Sequence, residues 1–96
     1  MSKRRVVVTG LGAVTPLGNT IPDFWNSITN GVSGAGPITR FDASAFKTQF
    51  ACEVKGFDPN VYFDRKEARK LDIYSQYAIA VAKEAIENSG LDLESI

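Results

Sequence analysis

Ninety-six residues, 44% hydrophobic and 23% charged, fit a soluble globular sequence of about one small domain and exclude a disordered chain. Eleven Lys and Arg balance eleven Asp and Glu, which argues against wholesale nucleic-acid binding and leaves room only for a local basic patch. No apolar run is long enough to span a bilayer, so the chain reads as cytoplasmic, with no membrane partner.

Lys3, Arg4 and Arg5 resemble the charged start of a signal peptide, but the apolar run behind them ends at Thr9 and Gly10, far short of an h-region. Between Arg5 and Thr9 three consecutive valines predict a short strand buried on both faces, as in a parallel sheet flanked by helices. The run breaks into Gly10, Gly12, Thr15, Pro16 and Gly18, and a strand entering such a loop before a helix is an α/β opening. The loop fails as a nucleotide site on spacing. A dinucleotide fingerprint needs a third glycine where Thr15 stands, and a phosphate loop needs Lys and Ser/Thr after Gly18, where Asn19 and Thr20 stand. Glycines that let backbones pack closely are the better reading, with no cofactor implied.

Thr20 is a candidate N-cap with Pro22 in the first turn, predicting a helix from about Ile21 to Asn30 with Gly31 at its C-terminal end. Phe24, Trp25 and Ile28 form an apolar stripe at helical spacing and are read as core. Gly31 to Ala45 reads as an ordered surface loop pinned by Phe41 and Phe46. Phe50 to Val54 is a second strand candidate, ended by Gly56, Asp58 and Pro59. Asp64 and Glu67 make a capping-box-like start for a short helical turn, DRKEARK. Asp72 then caps the longest helix, which is apolar from Tyr74 to Val81 apart from Ser75 and Gln76, has a solvated end at Lys83, Glu84 and Glu87, and closes at Asn88 to Gly90. Such a helix wants packing partners on several sides. Two strand candidates fall short of the about four to six strands common in stable sheets, so the sequence looks like the front of a larger domain, with no internal boundary from residue 1 to 96.

A catalytic thiol needs a base or a positive helix end to lower its pKa. Cys52 has neither signal: it lies in the second strand candidate beside Glu53 and is read as a small buried hydrophobe. Without histidine, metal ligation by Cys and His clusters is excluded by counting, and no metal or catalytic residue is assigned. Asp64, Glu67 and Asp72 sit where capping and the helix dipole explain them. The remaining feature is basic: Arg65, Lys66, Arg69 and Lys70 fall within two helical turns. Lys66, Arg69 and Lys70 share a face at spacings of three and four. Such crowding suits an acidic partner, and a solvated face neutralised by Asp64, Glu67 and Asp72 explains it equally well.

The set VVVTGLGAVTPLGNT, a helix bearing Trp25, GVSGAGPITRFDASAF and DRKEARKLDIYSQYA resembles the N-terminal segment of β-ketoacyl-acyl-carrier-protein synthases, closest to the synthase II type, from Arg4 to about Leu91. The resemblance implies a thiolase-like fold of α, β, α, β and α layers, usually homodimeric, in members several times longer than this chain. It implies decarboxylative Claisen condensation with malonyl groups on acyl carrier protein, using a Cys that takes the acyl group, backbone amides that hold the thioester oxyanion, and two His residues. None of that machinery matches a residue here, Cys52 included. What the resemblance carries over is carrier-protein docking, by Lys66, Arg69 and Lys70 and, less closely matched, Arg65. Two other readings share this opening: a non-catalytic chain-length-factor-like polyketide subunit, and a short carrier-protein-binding module.

Overall fold

Five regular elements run along residues 3–95, the part of the chain that the computed structural model describes. They are α1 (Ile21–Thr29), β1 (Ala35–Pro37), β2 (Phe50–Cys52), α2 (Arg65–Lys70) and α3 (Ile73–Ser89), with 3-10 turns at Pro59–Val61 and Leu93–Ser95.

The helix signals act where the sequence puts them. Thr20 is extended and its hydroxyl accepts from the Asp23 amide at 3.3 Å, starting α1. Past Asn30 the Gly31 amide donates to the Ile28 carbonyl and the Val32 amide to the Ser27 carbonyl, the paired bonds of a Schellman ending. Asp72 occupies the N-cap position of α3 in extended backbone, but its side chain makes no capping bond, contrary to expectation.

The sheet differs from the sequence reading. No strand forms at Arg5–Thr9, and Val6, Val7 and Val8 are 94%, 66% and 77% exposed. A strand exists through its ladder to a neighbour, and no described segment pairs with this one in a sheet. The sheet that does form is antiparallel and lies partly in the predicted loop. β1 pairs with β2 in the register Ala35–Cys52, Gly36–Ala51 and Pro37–Phe50. Two strands leave both faces open, so Cys52 is exposed rather than buried. Phe41 and Phe46 meet edge to face at 6.0 Å in the intervening loop, pinning each other while both stay exposed.

The glycine loop lies across α3. A Cβ on Gly10 would stand 2.1 Å from the Ala85 carbonyl oxygen, and one on Gly12 would stand 2.0 Å from that of Val81. Only residues without a side chain permit this approach, the architectural reading of the glycines. Glu84, expected at a solvated end, is instead part-buried beneath the loop: Oε1 accepts from the Ala13 amide and Oε2 from the Ile21 amide, both at 2.8 Å. Asn88 adds a bond to the Leu11 amide at 3.1 Å.

Buried hydrophobic residues are few among those described: Ala43, Phe63 and, at 1% exposure, Ala80 of α3. The expected enclosure of α3 is not seen, with Ile73, Tyr74, Ile79 and Ile86 exposed. Trp25 and Ile28, read as core, are also exposed because no described element covers that side of α1. A radius of gyration of 17.3 Å matches this sparse core. A compact domain of this length has about 12.5 Å.

Candidate docking surface

α2 is built by its ends. Asp64 is extended, and its Oδ1 accepts from the Glu67 amide at 2.8 Å, giving the forward half of a capping box. At the other end the Leu71 amide returns to the Ala68 carbonyl at 3.4 Å. The chain reaches this point through an aromatic cluster: Phe57 stacks on Tyr62 at 5.6 Å and meets Tyr77 of α3 edge to face at 4.9 Å. Phe63, just before the cap, is buried under Lys83, whose ammonium stands 5.4 Å from the ring centre and donates to the Tyr62 carbonyl at 2.9 Å. The entry to α2 is therefore fixed on α3.

The four basic residues singled out from the sequence all lie on α2 and are all exposed. Regular helix brings Lys66, Arg69 and Lys70 to one side, and Arg65, four residues before Arg69, extends the patch toward the N-terminus of the helix. The Asp64 carboxylate is engaged by its capping bond. Beside the patch, Lys70 and Glu67 rim a shallow hollow of about 350 Å³ floored by Phe63, Leu71 and Ile79. Cationic heads over apolar stems let such a surface meet an acidic partner without burying charge in a closed site.

Other ionisable groups serve the scaffold. Thr39 donates to Glu53 from its hydroxyl at 2.7 Å and from its amide, holding that carboxyl below its ordinary range. Arg40 donates to the Tyr77 hydroxyl at 3.0 Å, tying the hairpin region to α3. Among the described residues no three Cys, Asp or Glu side chains converge as a metal site. Sequence reasoning passed over Gln76, whose partners are backbone carbonyls of the preceding helix end, and Glu84, whose partners are backbone amides distant along the chain.

The profile of the β-ketoacyl synthase N-terminal domain matches residues 3–96. The chain is 54% identical over 93 residues to the 3-oxoacyl-(acyl-carrier-protein) synthase 2 of Coxiella burnetii, a match covering 97% of this chain and 22% of that protein. It is 46% identical over 96 residues to the protein of the same name from Synechocystis, covering all of this chain and 23% of that one. A solved structure described as the ishigamide ketosynthase/chain length factor superposes with a TM-score of 0.88 at 35% identity, over 99% of this chain and 24% of that one. The chain thus spans under a quarter of the length of the curated relatives named here.

Proposed function

This chain belongs to the β-ketoacyl synthase family, and from that premise we propose that it is the opening part of a 3-oxoacyl-acyl-carrier-protein synthase. The parent lengthens acyl chains in fatty-acid synthesis. A malonyl thioester loses carbon dioxide, and the resulting enolate carbon attacks the carbonyl of an acyl group held as a thioester on the enzyme. That forms a carbon–carbon bond and releases the enzyme thiolate. This segment supplies no group to that step, since it has no histidine and its exposed Cys52 does not match the family's nucleophile. Its contributions are scaffold and recognition, within a thiolase-like layered fold that is cytoplasmic and homodimeric.

The observation that carries the recognition role is the exposure of Lys66, Arg69 and Lys70 on one side of a helix anchored at both ends. Acyl carrier protein, as the acidic partner, docks there. Reversing all three to Glu in the parent weakens carrier-protein binding about tenfold or more at low salt, and added salt narrows the gap. Unchanged binding by the triple variant reduces the patch to a solvated face.

A second reading draws on the structural neighbour, whose description names a chain length factor. Under it the parent is a non-elongating polyketide subunit. The parent's residue at the family's nucleophile position decides: Cys with condensing activity on carrier-bound substrates supports the synthase, and another residue there without activity supports the subunit.

A further inference from the structure

A helix of six residues does not hold itself in water, because the ordering of its first turn is scarcely repaid before it ends. For α2 the support comes from its two termini. Asp64 secures the amide end. At the carbonyl end the support arrives from the next helix: the side-chain amide of Gln76, near the start of α3, donates through Nε2 to the Ala68 carbonyl at 2.9 Å and to the Leu71 carbonyl at 3.4 Å. Two carbonyl oxygens require the donor nitrogen there, since the amide oxygen in that place would repel both. These bonds are part-buried, whereas the charges of α2 are exposed.

We infer that Gln76 is a positioning residue for carrier-protein recognition: by closing the carbonyl end of α2 it holds Lys66, Arg69 and Lys70 in one geometry while touching no partner itself. This rests on the docking reading above. The side chain suits the task because it is neutral and donates twice. A carboxylate would place an acceptor and a negative charge against the carbonyl end of the helix, where both are unfavourable. A hydrocarbon would leave the carbonyls with no partner from α3. In either case the basic residues remain but lose their common orientation, so attraction persists while the docked state weakens.

The test uses the parent protein with Gln76→Glu, nearly identical in shape, and Gln76→Leu as the second variant should the first fail to fold. Carrier-protein affinity is titrated at several salt concentrations, condensation is followed with the acyl and malonyl groups both carrier-bound and then with both on small-thioester donors, and hydrogen exchange is read at the Leu71 amide. The expected result is about a three- to tenfold loss of affinity with the salt dependence retained, a raised KM for the carrier-bound donor with kcat unchanged, unaltered kinetics with the small donor, and faster exchange at Leu71. Unchanged affinity, in a parent whose Lys66, Arg69 and Lys70 reversal does weaken binding, overturns the role of Gln76 and leaves the docking surface standing. Equal losses with both donors overturn it too, as general damage. If the triple reversal leaves binding intact, the docking reading and this inference fall together.

Discussion

Leu11, Ala13 and Ile21 present backbone amides to α3 and have them taken by Glu84 and Asn88, whereas α2 presents carbonyls to the same helix and has them taken by Gln76. In the glycine loop the main chain itself lies on the helix, and the absence of side chains at Gly10 and Gly12 is what permits contact. In α2 the anchors are confined to the ends and the charged side chains face solvent. The first arrangement puts its polar groups to work inside the molecule; the second keeps charge free for something outside. Substitutions should therefore cost stability in the loop and affinity in the helix.

The sharpest way to break that contrast is Gly12→Val, which would drive a branched side chain into the Val81 carbonyl and force the loop off α3. A loss of about 3 kcal/mol in denaturant unfolding of the parent is expected, and a loss within experimental error would show that the contact yields easily. Next in size, Glu84→Ala strips two backbone amides of their acceptor and should cost about 2 kcal/mol by the same measurement, without altering the salt dependence of carrier-protein binding.

These two sites also mark where the sequence was legible. Thr20, Gly31 and Asp64 act through residues three positions away, so their roles could be read from spacing alone. The glycine loop was legible as architecture because its spacing fails both the dinucleotide and the phosphate-loop motifs, although its partner on α3 was not. Glu84 looked like surface because its amides lie 63 and 71 positions away along the chain. β1 escaped because Ala-Gly-Pro has no strand propensity and becomes a strand only by pairing with β2. The valines misled in the opposite sense: their propensity is strong, yet a ladder needs a partner. For the basic patch of α2, composition and spacing identified the charges but not the neutral Gln76 that closes their helix.

On the recognition side the effects shrink. Lys70→Ala should leave unfolding unchanged and weaken carrier-protein binding by about 0.5 kcal/mol, roughly twofold, an effect lost near 1 M salt. A larger, salt-insensitive loss would mean that its stem beside Phe63, Leu71 and Ile79 matters more than its charge. The smallest effect belongs to the exposed Glu53–Thr39 contact, which is neither loop nor patch. Its carboxyl is held below the ordinary range, so its stabilisation is complete above the unfolded-state pKa and disappears as pH falls through the folded one. Thr39→Val should flatten that part of the pH–stability curve; an unchanged acid limb would assign the effect to other carboxylates.

The loop contact has a consequence for divergence among related sequences. Because Gly10 and Gly12 bring bare main chain against the Ala85 and Val81 carbonyls, the closest approach of the loop to α3 is set at those two points and not by the side chain between them. Leu11, interposed between the two glycines, can change size without shifting the gauge, as a bead can be swapped on a wire clamped at both sides. A library randomised at Leu11 should retain far more folded members than one randomised at either glycine, and the spacing between the layers should be inherited more faithfully than the sequence lining it.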